Sequence, residues 1–595
     1  MDMSVAQITS DSLLIDTEHH FRVYAGPGAG KTHWLIEHIK NVLHRSKRLA
    51  KSRKIVCITY TNIGVETILE RLGTSANQVE VSTIHSFLYK NVVKPYASFI
   101  ASEYGLNVAE MDGHDEHIVS SRKLISWIQN HPQKNNLANP YSVNQLIGVV
   151  NFRNAIQRWI ASINYKIDIS GNIVLSSDRK ESYYVENGDR KYIGRRCIDT
   201  LEAGLLEYKK LYWNYGRIHH EDVLFFSYQI IQNYPFVLEV LRAKFPYFFI
   251  DEFQDSNPIQ VAILKFIAQN ETIVGIVGDK AQSIYGFQGA DPSQFHSFNL
   301  TGIEDYEIVE NRRSTNEIIS LLNNVRKDII QIPHRNIKGE RSVIIVGPMN
   351  NALEKAYELC GSNNVFSLSR DNITSNSMKR DINGIGLDRD IIDKLRAVDS
   401  NPDRKRCIIA FLKSIEYARE KKYKDAIKEL ESVFHDSNDK QKGKKEALKY
   451  LYIMLSKYDE YRNGYLYDFY SIIKRDIRND IANLVNRGGI KPFYEQHTYQ
   501  EFAICINIPE DISHHKTIHK AKGDEFENVL LVLKNEIDLK FILNPDIQTP
   551  DNAGEEQRIN YVAISRTIDR LFISVPTLQQ INQTKMESRF QIINV

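Results

Sequence analysis

Three short apolar runs punctuate the first half of the chain, and each ends in residues unlike itself. Phe21, Val23 and Tyr24 predict a strand that gives way to a flexible turn holding Gly26, Gly28 and Gly30. Phe248, Phe249 and Ile250 read as a strand buried on both faces, the kind found in parallel sheets, and it stops at Asp251-Glu252. Ile273, Val274, Ile276 and Val277 form the third run, closed by Gly278-Asp279 and followed by Gln282, Tyr285 and Phe287. Helical periods fill much of the space between. Leu35, Ile36 and Ile39 follow the glycine turn at helical spacing, and Asn257–Leu264 predicts a helix with Asp255 or Ser256 as its N-cap. Leu205, Tyr208, Leu211 and Tyr212 recur with the same period. Farther on, Tyr423, Ile427, Leu430 and Phe434 fit one apolar helix face, and Leu448, Leu451, Tyr452 and Leu455 fit another. The stretch "HDSNDKQKGKKE" between them reads as a loop, giving an αα-hairpin.

The residues that close the first two runs carry chemistry. "FRVYAGPGAGKTHWLIEHI" is strand, glycine-rich loop, Lys-Thr, helix, which is the arrangement of a phosphate-binding loop. The backbone N–H groups of Gly26, Gly28, Ala29 and Gly30 can approach phosphate oxygens, and the following helix N-terminus favours negative charge. Lys31 is then the residue for the outer phosphates, and the Thr32 hydroxyl is a Mg²⁺ ligand. The position of the motif's first glycine is Ala25, with Gly26 beside it. Carboxylates at the end of a buried parallel strand can reach the metal and a water beside a nucleotide, because ligands bind beyond the carboxyl ends of such strands. Asp251 is expected to hold Mg²⁺ through its water shell and Glu252 to orient or deprotonate the attacking water.

Composition narrows the class without naming it. The chain has 595 residues, 42% apolar and 25% charged, with a net charge of +2. That length allows several domains, and the charge balance does not announce a nucleic-acid binder, although a local basic channel is compatible with it. No apolar run approaches the roughly 18 residues of a membrane span, and the first residues show no signal-peptide pattern. Cys57, Cys197, Cys360, Cys407 and Cys505 are scattered, which argues against a disulfide framework or a zinc site and fits a reducing cytoplasm. Adjacent His219, His220 and Glu221 are not read as a metal site, since neighbouring histidines on a helix point apart.

The order of the blocks makes the sequence specific. "AGPGAGKT" is followed by "TYTN" (59–62), "STIHSF" (82–87), "IDEFQDSNPIQ" (250–260), "VGDKAQSIYGFQGA" (277–290), "ENRRST" (310–315), "TIHKAKGDEFENV" (517–529) and "EEQRINYVAISRT" (555–567). In this series the chain resembles superfamily 1 helicases of the UvrD/Rep/PcrA type. The resemblance implies an α/β fold of two RecA-like parallel-sheet domains in tandem, each interrupted by a mainly helical insertion. The expected boundaries are 1–87 and 245–300 for the first core, 88–244 for its insertion, 301–348 and 502–595 for the second core, and 349–501 for its insertion. It also implies an ATP- and Mg²⁺-dependent motor on single-stranded DNA, moving 3′→5′, with ATP between the two cores. Gln282 matches the γ-phosphate sensor, and Arg313 and Arg566 match the two arginines that reach the phosphates from the second domain. Arg312 stands where the family has an adenine-stacking aromatic, and Glu525 matches a residue near the ribose. Tyr60, Thr83, His85, Tyr285 and Phe287 match DNA contacts, the aromatics by stacking on bases, which is worth about 1–3 kcal/mol per base and tolerates any sequence. Phe287 replaces the family's tryptophan, Gln288 replaces an arginine, and the lysine usual after Asn62 is missing. Gln7 is the candidate for the upstream adenine reader.

The two long segments between blocks do not carry the resemblance. Positions 401–450 hold 14 Lys/Arg against 9 Asp/Glu, read as a solvated helical face before a duplex-binding one. After Thr567 the expectation is one strand and a short tail, with no nuclease domain. The size and the altered "ENRRST" block resemble the helicase subunit of Gabija-type anti-phage systems, which implies an ATP-dependent nuclease partner of the overcoming-lysogenization-defect (OLD) class. DNA ends or duplex junctions are the expected substrates. Two alternatives stand beside the motor: an ATP-switched DNA sensor that licenses a nuclease with little unwinding, and a stand-alone repair helicase.

Overall fold

The computed structural model describes residues 5–595 apart from 116, 118, 178–181, 187–188, 287–288, 363, 383–387, 435–439, 487–488, 509–512 and 550–551. The chain divides into two compact units, Met1–Tyr184 with Tyr192–Glu340 and Lys540–Asp569, and Val185–Lys191 with Arg341–Leu539 and Arg570–Val595. Among the described residues no helix is long and apolar enough to cross a membrane.

The first unit is built on a seven-stranded sheet. Its strands are β1 (Ala6–Ile8), β2 (Phe21–Ala25), β3 (Ile55–Ile58), β4 (Val79–Ser82), β5 (Tyr247–Ile250), β6 (Ile273–Gly278) and β7 (Glu304–Ile308). They lie in the order β1-β7-β2-β6-β5-β3-β4, and every neighbouring pair is parallel. All residues of β3, β5 and β6 are buried, as continuous apolar runs with helices on both faces must be. The register aligns the strand ends: Gly278 pairs with Tyr24, and Ile250 with Ile276. The glycine loop, Asp251 and Asp279 therefore emerge side by side from three adjacent strands. Because β7 pairs with β2, this sheet continues past the expected boundary at residue 300.

The first insertion is also smaller than expected. Phe87, Val92, Phe225 and Phe226 share one core with Phe248 and Ile250, so both ends of 88–244 belong to the sheet's own packing. A separate core around Trp127, Trp159 and Tyr208 marks the inserted part. It is helical apart from two-stranded elements such as the hairpin of Ile163–Ile167 with Ile173–Ser177. The helix Leu205–Trp213 forms as its periodicity predicts. Pro258–Ile267 is likewise a helix, but its N-cap is Asn257, which exchanges hydrogen bonds with Gln260 in a capping box.

The second unit carries a six-stranded sheet of β8 (Val343–Val346), β9 (Val365–Ser369), β10 (His515–Thr517), β11 (Phe526–Val532), β12 (Thr567–Val575) and β13 (Gln591–Asn594), in the order β10-β9-β11-β12-β8-β13. Since β9 pairs with both β10 and β11, the expected insertion start at 349 is too early. The separate helical core runs from Ile391 to Ile508. Within it, the helices Tyr423–Glu431 and Lys440–Ser456 realise the hairpin, yet the charged stretch from Lys440 onward is helix, not loop. The buried face of the second helix is Ala447, Leu451 and Met454, whereas Tyr423, Leu448 and Tyr452 are exposed. Beyond Thr567, where one strand and a short tail were expected, the tail itself forms a helix, Gln580–Met586, and the edge strand β13.

Candidate nucleotide site and its aromatic loop

The glycine loop leaves β2 and caps the helix Lys31–Arg45, whose Trp34, Leu35, Ile36 and Ile39 are buried beneath it. Gly28 and Gly30 have φ of +71° and +79°, a conformation that L side chains avoid. Space is as tight as the backbone: a Cβ on Gly26 would lie 2.5 Å from Gln331 Nε2, and one on Gly28 2.7 Å from Asn311 Oδ1. The amides of Asn311 and Gln331 both donate to Pro27 O, at 3.1 and 2.8 Å, and Arg312 N donates to Gly28 O at 2.9 Å. Lys31 is buried at the start of the helix.

Thr32 Oγ1 donates to Asp251 Oδ2 at 2.7 Å, joining the first two chemical blocks across 219 residues of sequence. Burial, with the neighbouring Glu252 charge, pushes the Asp251 carboxyl up to about 6. Glu252 adopts φ +55°, its N–H turned onto Asp251 Oδ1 at 3.0 Å and its carboxylate bonded by the Gln254 amide. A desolvated carboxylate in contact with a hydroxyl and next to a second carboxylate is a donor set suited to a hard divalent cation, which would restore the ionised form. Thr32 and Asp251 thus fit the Mg²⁺ ligation expected of them.

Just past β6, Asp279 accepts from Gln282 Nε2 at 2.7 Å and from Arg326 Nη1 at 2.6 Å, with both Asp279 and Arg326 buried. Gln282 Oε1 in turn accepts from Arg566 Nη2 at 2.9 Å. Arg313 Nη1 donates to Ser565 O at 2.7 Å. Arg313 and Arg566, expected from a second domain, lie in the same compact unit as the glycine loop, Arg313 within Tyr192–Glu340 and Arg566 within Lys540–Asp569. Arg312 forms ion pairs with Asp11 and with Glu310, and Asp11 also contacts His33 at 3.3 Å. Gln7 is exposed on β1, paired in register with Glu307. Glu525 is exposed before β11 in the second unit.

The aromatic expectations converge on one place. Tyr60 and Tyr285 stack on each other, centroids 4.7 Å apart and planes at 24°. Phe287 and Gln288 lie outside the described residues. Thr83 caps the helix Ile84–Leu88, its hydroxyl 3.0 Å from Ser86 Oγ. His85, the second residue of that helix, sits 4.0 Å from Glu221, and burial with the nearby His220 and His114 rings holds it down near 3. Tyr60, Thr83, His85 and Glu221 line a cavity of about 480 Å³ that Asp251 and Glu252 also border. His219 closes β-structure and His220 opens the helix His220–Asn233, where His219 Nδ1 meets Asp222 at 3.1 Å and His220 Nδ1 meets His114 Nδ1 at 2.6 Å.

Several residues of this assembly were not singled out from sequence: Asn311, Gln331, Arg326, Glu555 and Arg558. Glu555 and Arg558 fall inside the last block at one-turn spacing, so the signal was present there. Arg326 follows a helix at an unremarkable polar position and carries none.

A glycine loop, a Thr–Asp pair and a glutamine–arginine pair at the carboxyl ends of adjacent parallel strands define a P-loop nucleotide-binding protein. Residues 9–301 match the UvrD/REP helicase N-terminal domain, and this part of the chain belongs to that domain family. It is 28% identical over 361 residues to the Gabija protein GajB of Bacillus cereus, an alignment covering 53% of this chain and 48% of that protein. It is 23% identical over 363 residues to a probable DNA helicase II homolog of Mycoplasma capricolum (58% and 44% covered). With the ATP-dependent DNA helicase PcrA of Staphylococcus aureus it shares 25% over 319 residues (52% and 38% covered). The chain thus spans less than half the length of each of these relatives.

Proposed function

We propose that the chain is a DNA-stimulated ATPase that moves 3′→5′ along single-stranded DNA and acts in the cytoplasm, in anti-phage defence, with a partner nuclease of the OLD class. The observation that carries the reading is continuity: Thr32–Asp251, Gln282–Arg566 and the Tyr60–Tyr285 stack form one cluster within one unit. The similarity to a Gabija protein supports the defence context, and the similarity to PcrA, an ATP-dependent DNA helicase, supports ATP-driven action on DNA. DNA ends or duplex junctions are the proposed substrates, and the two cores with their insertions are the proposed organisation of the motor.

In this mechanism the glycine loop and Lys31 bind the outer phosphates of ATP. Thr32 and Asp251 hold Mg²⁺, which when bound neutralises charge on the phosphates. Glu252 orients the water that attacks the terminal phosphoryl group and takes its proton. Gln282 senses that group, and Arg313 and Arg566 spread the charge that develops on it, work suited to a delocalised, always-charged guanidinium. Arg312 is the proposed contact to the base. Gln282 sits three residues before Tyr285, so the state of the phosphate reaches the ring that stacks on DNA through a short piece of backbone. Tyr60, Thr83, His85 and Phe287 complete the DNA contact.

The test is steady-state ATP hydrolysis with and without single-stranded DNA, for wild type and Lys31→Ala, across a salt series because phosphate contacts weaken with ionic strength. Stimulation that disappears in Lys31→Ala supports the reading. Hydrolysis indifferent to DNA, or surviving in Lys31→Ala, refutes it. Strand displacement on tailed duplexes then reads polarity, and co-purification from a native source reads the nuclease partner.

A further inference from the structure

We propose that Glu555 is a positioning residue that transmits the nucleotide state to the DNA-stacking loop by gripping its backbone. The inference rests on the function proposed above and adds a coupling element to it.

The helix Asn552–Ile564 lies along the loop that follows β6, and it holds that loop at successive points. Arg566, just past the helix end, donates to Gln282 Oε1 at 2.9 Å. Arg558 Nε donates to Ser283 O at 2.9 Å. Glu555 Oε1 accepts from Gly286 N at 3.0 Å. The pairing runs in opposite directions, 566, 558 and 555 against 282, 283 and 286, like one edge of a zipper. Tyr285 sits between the last two anchors with its ring on Tyr60. The fit at the last anchor is close: a Cβ on Gly286 would lie 2.5 and 2.9 Å from the two Glu555 carboxylate oxygens. Glycine there lets the carboxylate reach the backbone.

A helix moves as a unit, because its hydrogen-bonded backbone resists bending over so few turns. When Arg566 and Gln282 change partners during hydrolysis, the displacement travels along the helix to Glu555. It arrives at Gly286, next to the stacking ring. Glu555 meets none of the groups proposed to bind phosphate or metal, and no aromatic ring is its partner among the described contacts; it acts through the Gly286 amide. The loop therefore has two inputs from the nucleotide, one through its own backbone from Gln282 and one through the helix.

The experiment compares full-length wild type, Glu555→Ala and Glu555→Gln in ATP hydrolysis with and without single-stranded DNA, beside their melting temperatures. The alanine variant is expected to keep its DNA-free rate and its KM for ATP within about twofold. Its stimulation by DNA should fall about tenfold, the change that loss of one charge-assisted hydrogen bond produces. The glutamine variant keeps an acceptor oxygen and should retain most of the stimulation. Full stimulation in Glu555→Ala overturns the proposal and leaves the ATPase reading intact. Equal loss of the DNA-free and DNA-stimulated rates also overturns it, since that is what a merely structural role would produce. If wild type is not stimulated by DNA, or Lys31→Ala still hydrolyses, both proposals fall together.

Discussion

Replacing Arg326 with methionine is expected to destabilise the first unit strongly. The guanidinium is 2% exposed and lies just past the helix Asn316–Val325. It donates to Asp279 Oδ1 at 2.6 Å and to both carboxylate oxygens of Asp328, at 2.7 and 3.1 Å. Asp279 is 1% exposed, so methionine leaves a buried carboxylate held by the Gln282 amide and the Ala281 N–H, at 2.7 and 3.1 Å, without the Arg326 cation beside it. Removing one member of a buried pair typically costs about 3–5 kcal/mol, because the remaining charge has lost its counter-ion without regaining water. Against a typical domain stability of roughly 5–15 kcal/mol that is a large fraction. Removing both charges together is far cheaper, since the desolvation cost vanishes with the attraction. The assay is urea unfolding followed by tryptophan fluorescence, with Trp34 and Trp213 both buried in this unit, for Arg326→Met, Asp279→Asn and the double variant. The double variant should recover more than half of the loss in Arg326→Met, a coupling of about 2 kcal/mol or more. A single variant within about 1 kcal/mol of wild type, or strictly additive effects, would refute the reasoning.

Three further outcomes are expected. Gly275→Ala, in the middle of β6, places a Cβ 2.0 Å from Phe21 Cζ and should cost at least about 1–3 kcal/mol in thermal unfolding, as overpacking does; an unchanged melting temperature would contradict it. Asn257→Ala removes the oxygen that accepts from Gln260 N at 2.9 Å and should cost about 1 kcal/mol, while Asn257→Asp should be nearly neutral. Glu221→Gln should stabilise the protein at pH 8 but not at pH 4.5. Burial above all raises the Glu221 carboxyl from 4.5 to about 7, so the folded state's penalty for its charge is absent below the first value and full above the second. A gain that is the same at both pH values would refute that assignment.

The nucleotide chemistry was legible in the chain because it is local. Strand, glycines, Lys31 and Thr32 are consecutive, and left-handed Gly28 and Gly30 require the residue type they have. Asp251 follows its strand directly, and only the sheet register places it beside Thr32. The boundaries were less legible: β7 and β9 are short strands whose membership is decided by the partner strand, β2 for one and β10 and β11 for the other. The same holds for Leu448 and Tyr452, whose period suits a helix face but not the face that is buried.

The sequence by itself determined the class of site, since phosphate binding needs backbone freedom, one lysine and one hydroxyl within a few residues. Tertiary structure alone decided how that site is wired. Arg326 meets Asp279 across 47 residues, Arg566 meets Gln282 across 284, and Glu555 meets Gly286 across 269. Such contacts depend on where helices pack against strand ends, and a buried charge finds its counter-ion by position in space, which no local pattern of polar and apolar residues encodes.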